Sequence, residues 1–342
     1  MKNVNVTIKD IAKELKVSAS TVSRALKDYS GLKKETIKKV KALAKRMNYR
    51  PNLTAINLLK KRNNIIAVIV PEINGHFYSN VVTGIQDVVD STDYNIIICL
   101  SNESYRKEVA IIENLSRARI SGILVAPSST TKKFNHFKRF QKNGSPLVIF
   151  DRDCIGLDAN KVLVDDYSGA FQAVEYLIHS GCKKIAHIGG VLNLTTTSHR
   201  LQGYLDALKQ NNLPINEDYI IHASGFSHQD GMEPAKLLFQ LKNTPDAIFG
   251  VNDRIAIAAM FTAKKLNLRI PEDVSIIGFD DEPQSSYFTP ALTSVRQPSY
   301  GIGMLSARIL LKHIKENENP TTGFRYEVFK TELIIRSSSR EI

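Results

Sequence analysis

Cysteine is scarce in this chain: three in 342 residues, Cys99, Cys154 and Cys182, far apart and never in CxxC spacing. That scarcity excludes a disulfide framework and a thiolate zinc site, and the three read as core thiols. Long apolar runs are missing as well. No stretch reaches the roughly 18 consecutive apolar residues of a membrane span. The opening Met1 to Asp10 also lacks the apolar core of a secretory leader, so a cytoplasmic protein with no membrane partner is expected. The signatures GxxxxGK[ST], GxSxG and HExxH do not occur, and none of the eight His has metal-type spacing beside a carboxylate. Gly301-Ile-Gly-Met is the nearest miss, but it follows Pro298 and opens an amphipathic helix instead of a βαβ phosphate turn. The expectation is a protein that is not an enzyme and needs no cofactor or metal.

Acidic residues are what the first part of the chain lacks most. Residues 1–62 hold 17 Lys and Arg against four Asp and Glu, while the remaining 280 hold 29 against 30. The whole excess of +12 therefore comes from a short basic head on a neutral body. Such a head anchors nucleic acid, because cationic side chains that neutralise phosphates release the condensed counterions.

Within that head, Thr7 followed by Asp10 forms a capping box, and Ile8, Ile11, Ala12 and Leu15 recur at helical spacing. Ser18 caps a second helix that turns Val22, Ala25 and Leu26 inward, which leaves Ala19, Ser20, Ser23 and Arg24 outside. A third helix, Lys33 to Met47, places Ile37, Val40, Leu43 and Met47 three or four apart. Short hydroxyl residues in the first turn of the second helix let it approach phosphates and base edges, as the reading helix of a helix-turn-helix does.

These residues resemble the LacI/GalR family of bacterial transcription regulators. The likeness rests on Thr7-Ile8-Lys9-Asp10-Ile11-Ala12, Val17-Ser18, Thr21-Val22-Ser23-Arg24 and Asn48-Tyr49-Arg50-Pro51-Asn52, and it continues along essentially the whole chain. The resemblance implies that the second helix enters the major groove, with Ala19 and Ser20 at the operator-selecting positions. Both are short, so Arg24, able to fork across guanine O6 and N7, is expected to supply most direct readout. By the same resemblance Thr7, Ser18, Thr21, Ser23, Lys33 and Thr36 lie near phosphates, where they set register; capping and solvation are their plainer roles. Residues 51–63, too few for a stable helix alone, match a family hinge that inserts a leucine into the minor groove. The corresponding residues are Asn52, Ala55 and Leu58, with a plain linker as the alternative.

From residue 64 the chain alternates β-rich runs with amphipathic stretches: Ile65 to Val70, Asn95 to Cys99, Ile123 to Ala126, Leu147 to Phe150, Lys161 to Val164, Ile185 to Gly189, Ala247 to Gly250 and Val274 to Phe279. Continuous apolar strands separated by helices predict an α/β fold of parallel sheets covered on both faces. The resemblance implies two lobes of the periplasmic-binding-protein type, crossed near Val164, Leu292 and Arg325. The expected organisation is a helix-turn-helix domain at 1–50, a hinge at 51–63, and a core at 64–342. Its first lobe spans 64–163 and 293–325, and its second spans 164–292 and 326–342.

Open parallel sheets bind ligands beyond the carboxyl ends of their strands. The residues there, Asn74-Gly75-His76-Phe77-Tyr78, Asp151-Arg152-Asp153, Asn252-Asp253 and Asp280-Asp281, mix carboxylates, amides, an arginine and aromatics as a polyol site requires. The resemblance puts Phe77, Asp151, Arg200, Phe226, Asn252, Asp280 and Gln297 at or near effector positions. Helix capping by Asp151, Asn252 and Asp280, and a surface ion pair for Arg200, remain the alternatives. The expected function is a repressor of a carbohydrate-utilisation operon. It acts as a homodimer on pseudo-palindromic double-stranded operator DNA and is controlled by a sugar-like effector. Control by a phosphorylated carrier protein, or by a purine corepressor, stays open. Val81, Ile85 and Val88 are either dimer contacts or core.

Overall fold

The computed structural model describes residues 6–26, 29, 31–49, 63–316 and 323–342. They form two compact units, one within residues 1–63 and one spanning 64–342. Asn52, Ala55 and Leu58 lie outside the described residues.

Among the described residues the first unit has three helices, α1 (Ile8–Leu15), α2 (Ala19–Leu26) and α3 (Lys34–Arg46). Seven buried residues make its core: Ile11 and Ala12 from α1, Val22 and Ala25 from α2, and Val40, Leu43 and Ala44 from α3. Asp10 accepts hydrogen bonds from the Thr7 backbone N–H (2.8 Å) and hydroxyl (2.7 Å), which satisfies an orphan donor at the start of α1. Lys16 ends the helix in the left-handed region at φ 53°.

The second unit carries two six-stranded sheets. The first has the order β11-β5-β4-β3-β1-β2, built from β1 (Ile65–Val70), β2 (Asn95–Leu100), β3 (Gly122–Val125), β4 (Leu147–Phe150), β5 (Asn160–Val164) and β11 (Tyr326–Phe329). All its pairings are parallel. The second, β12-β10-β9-β8-β6-β7, comprises β6 (Ile185–Gly189), β7 (Ile220–His222), β8 (Ala247–Gly250), β9 (Ser275–Asp280), β10 (Thr293–Arg296) and β12 (Glu332–Ile334). Only β12 runs antiparallel, against β10. Crossover helices cover both faces: α4 (His76–Val89), α5 (Tyr105–Arg117), α6 (Asn135–Lys142) and α11 (Ser299–Glu316) on the first sheet, α7 (Asp166–His179), α8 (Thr195–Gln210), α9 (His228–Gln240) and α10 (Asp253–Lys265) on the second.

The first crossing between lobes falls after Val164, but the other two lie beyond Leu292 and Arg325. β10 pairs with β9 and so belongs to the second lobe, and β11 pairs with β5 and so belongs to the first. The chain therefore crosses after Arg296 and after Phe329. Thr-Ser-Val-Arg and Tyr-Glu-Val-Phe are four-residue strands with too few apolar residues to stand out by pattern.

α4 and α11 cross closely. A Cβ at Gly84 would lie 2.2 Å from the Tyr300 carbonyl oxygen, and one at Gly303 would lie 2.0 Å from that of Val81. Val81 and Ile85 are fully buried in this contact and Val88 packs against it, so the core role describes them. The apolar side chains left exposed in the first lobe include Ile97, Ile98 and Leu100 on the edge strand β2.

Candidate functional site

On the head, the second helix presents the surface its sequence predicts. Ala19, Ser20 and Arg24 are exposed, Ser23 is half-buried, and Val22 and Ala25 are turned into the core. The Ser18 hydroxyl accepts from the Thr21 backbone N–H at 3.0 Å and shares hydrogen bonds with the Ser20 (2.7 Å) and Thr21 (2.8 Å) hydroxyls. This cluster caps α2 and keeps its hydroxyls at the helix start, where backbone N–H groups and the helix dipole favour an anion. Thr7 and Lys33 are exposed, and Thr36 is half-buried in the first turn of α3. The Arg24 guanidinium stands over the Tyr29 ring, 5.5 Å from its centroid. Sequence reasoning did not single out Tyr29.

In the body, the effector candidates converge where strands of both lobes end. Asp151 follows β4 with φ 66°, and Asp280 ends β9 with φ 120°. Left-handed backbone at non-glycine residues is sparsely populated and clusters at binding sites. Asp151 accepts a hydrogen bond from the Tyr78 hydroxyl at 2.5 Å, and Asp280 accepts one from Gln297 Nε2 at 2.6 Å. Arg200 is buried: its Nε donates to Asp166 Oδ1 (2.7 Å), its Nη1 to the Val251 carbonyl (2.6 Å), and it lies 3.7 Å from the Phe279 ring centroid. Asn252 caps α10 by accepting from the Ile255 N–H (2.9 Å) while its amide donates to the Phe226 carbonyl (3.1 Å). The capping role is thus real, and the same residue ties the Phe226 loop to the cleft. Phe77 packs against the first-lobe core, and its neighbour Tyr78 is the aromatic that meets Asp151.

Burial raises the Asp151 carboxyl against the opposing pull of Arg152, and raises Asp280 well above its ordinary value against that of Arg200. Asp166 is pushed up to about 6 by burial, again opposed by Arg200. A carboxylate in a desolvated site stays charged only as far as neighbouring cations and donors compensate.

Asp166 was missed as a site residue, whereas Arg152 lies within the Asp151-Arg152-Asp153 stretch that the strand-end rule marks. Arg152 Nη1 and Nη2 fork onto Glu103 at 2.9 and 2.8 Å, and its guanidinium lies 5.6 Å from the Phe226 ring of the other lobe. Asp166 lies two residues beyond the end of β5 at Val164, so the rule that flagged Asp151-Arg152-Asp153 extends to it. Two more contacts cross between lobes: Arg254 bonds Glu72, and the Asp153 N–H donates to the Thr195 hydroxyl at 3.1 Å. A cavity of about 340 Å³ adjoins this network, lined by Asp151, Asp153, Asp165, Asp166, Thr195 and His199 among others. Of the seven sequence-predicted effector residues only Asp151 lines it directly. Among the described residues no group of three or more His, Cys, Asp or Glu is placed to hold a metal ion, and no helix is long and apolar enough to cross a membrane.

A helix-turn-helix unit joined to a two-lobed α/β body with polar residues converging between the lobes defines a ligand-responsive DNA-binding regulator. Residues 7–52 match the family described as "Bacterial regulatory proteins, lacI family", and residues 174–339 match a "Periplasmic binding protein-like domain". The chain is 33% identical over 314 residues to catabolite control protein A of Priestia megaterium, covering 92% of this chain and 94% of that protein. It is 30% identical over 334 residues to the ribose operon repressor of Halalkalibacterium halodurans, covering 98% and 97%. The structure of a transcriptional regulator CelR-cellobiose complex superposes with a TM-score of 0.74 at 26% identity, covering 98% of this chain and all of that one. The chain belongs to the LacI family of transcriptional regulators.

Proposed function

We propose that the chain is a cytoplasmic repressor of a carbohydrate-utilisation operon, binding rather than transforming its ligand. As a homodimer it reads a pseudo-palindromic operator through the outer face of α2. The observation that carries this reading is the convergence of Arg200, Asp151 and Asp280 between two lobes, in a chain whose other unit exposes Arg24. Similarity to a ribose operon repressor and to a cellobiose-bound regulator supports a sugar as effector.

Arg24 forks onto a guanine, Ala19 and Ser20 restrict the adjacent bases, and Thr7, Ser18, Thr21, Ser23, Lys33 and Thr36 hold phosphates. Dimerisation supplies the second half-site, because one reading helix covers too few base pairs to stand out in a genome. Exposed Ile97, Ile98 and Leu100 on β2 offer the first lobe an apolar surface toward the second copy. Effector held by Asp151 from one lobe and by Arg200, Asn252 and Asp280 from the other favours the arrangement in which both can be reached. That preference passes to segment 51–62, where Asn52, Ala55 and Leu58 meet the minor groove.

Anisotropy of a labelled promoter duplex, titrated with the chain with and without ribose, cellobiose and other sugars, tests this. At least one sugar changes operator affinity by about 5- to 150-fold. Unchanged affinity across the panel contradicts sugar control. It would instead favour a protein partner, a second reading consistent with the similarity to a catabolite control protein.

A further inference from the structure

The cleft contains cations, yet each is already bound to a carboxylate. Arg152 is forked onto Glu103 and also donates to the Pro127 carbonyl at 2.9 Å. Arg200 is held by Asp166, and Lys161 Nζ lies 2.5 Å from Asp153 and 3.0 Å from the Cys154 carbonyl. At the lip, Arg254 is taken by Glu72 and faces Glu282 at 3.7 Å. Three carboxylates remain with weak or no cationic pairing. Asp151 has the Tyr78 hydroxyl and Arg152 Nε at 3.6 Å, Asp280 has the Gln297 amide and the electrostatic pull of Arg200 without an ion pair to it, and Asp165 accepts only the Ser168 N–H that it caps, at 3.0 Å.

What the site offers a ligand is therefore mostly acceptors, with Arg254 Nε a buried donor that makes no hydrogen bond. Gln297 is buried, with Nε2 spent on Asp280 and Oε1 without a partner, and the Thr197 hydroxyl is likewise buried and unpartnered. His199, exposed at the rim of the cavity, is the remaining basic group there. An anionic substituent would enter among excess carboxylates and have to displace an existing partner of Arg152 or Arg200, leaving that partner desolvated and unpaired. Hydroxyl or ammonium donors satisfy the same acceptors directly. Burial holds the Asp151 and Asp280 carboxyls above their ordinary range although Arg152 and Arg200 pull them down.

We infer that the cleft takes an effector with no anionic group, a neutral sugar or an amino sugar, and rejects phosphorylated and carboxylated sugars. This deepens the sugar-effector reading and rests on it. The test is thermal unfolding of the full chain with matched sets: glucose, glucosamine, glucose 6-phosphate and glucuronate; galactose, galactosamine and galacturonate; ribose and ribose 5-phosphate; and cellobiose. The expected result is a rise in Tm with at least one neutral or amino sugar, its anionic counterpart binding at least about tenfold more weakly. Asp165→Asn keeps the helix cap, since Asn caps as well as Asp, and removes one carboxylate. It should narrow that discrimination by about twofold or more. An anionic sugar that stabilises the chain as well as or better than its parent overturns the inference while leaving sugar control intact. Absence of any shift across every set removes the sugar-effector reading itself.

Discussion

The head and the cleft both contain basic residues but use them in opposite ways. On the head, Lys9, Lys13, Lys16, Arg24, Lys33, Lys34, Lys38 and Lys45 stand exposed, and the ion pairs that occur, such as Lys39 with Glu35 at 2.8 Å, lie at the surface. In the cleft, Arg152, Arg200 and Lys161 are buried and held by carboxylates. Exposed cations retain their hydration and remain able to meet a polyanion. Buried ones have exchanged water for fixed partners and serve as donors that shape a pocket. One chain thus separates free cations from neutralised ones by burial rather than by residue type.

The contrast breaks most severely at Arg200. Arg200→Met leaves Asp166 buried beside Asp151 and Asp280 without its cation, at a cost of about 3–5 kcal/mol. Urea unfolding should show that loss, and the double change Arg200→Met with Asp166→Leu should recover much of it. A smaller effect concerns Asp253, which burial pushes up to about 7 although the Ser285 hydroxyl (2.6 Å) and Glu282 N–H (2.8 Å) donate to it. An acid whose folded pKa exceeds its unfolded value binds its proton more tightly when folded. The stability it contributes is therefore complete below the ordinary 3.8 and is lost as pH rises through about 7. Asp253→Asn should flatten that slope in a series of Tm measurements from pH 4 to 8; an unaltered slope would show that other groups govern it.

On the head the expected effects fall on DNA binding and leave folding alone. Arg24→Ala should cost about 1–3 kcal/mol at the operator and reduce discrimination, with Tm unchanged. Equal losses on operator and scrambled duplex would make Arg24 a phosphate contact. Smallest of all, Lys39→Ala removes an exposed i,i+4 pair and should leave Tm where it was, because such pairs gain little against solvent screening.

The same division explains what could be read in advance. The three-helix head was legible because its signals are local: the Thr7 and Asp10 cap, the Ser18 cap, and apolar residues at helical spacing. Continuous apolar strands were legible too, and β1, β4, β6 and β8 have the limits their sequences suggest. β7, β10 and β11 were not, being three or four residues long and stabilised by pairing with a sheet already formed rather than by their own pattern. In the cleft, carboxylates placed just after strands were evident. Their partners were not: Asp166 meets Arg200 across 34 residues, Glu103 meets Arg152 across 49, and Glu72 meets Arg254 across 182. Such pairings are set by topology, which gives no periodic signal along the chain.

Competition between duplexes tests the central division most directly. A labelled promoter duplex bound by the full chain at about 0.15 M salt is challenged with unlabelled promoter and with a scrambled duplex of equal length. The account predicts that the promoter sequence competes at least about a thousandfold better. If both duplexes compete alike, the exposed cations of the head only neutralise phosphate, and the reading surface assigned to α2 does not exist.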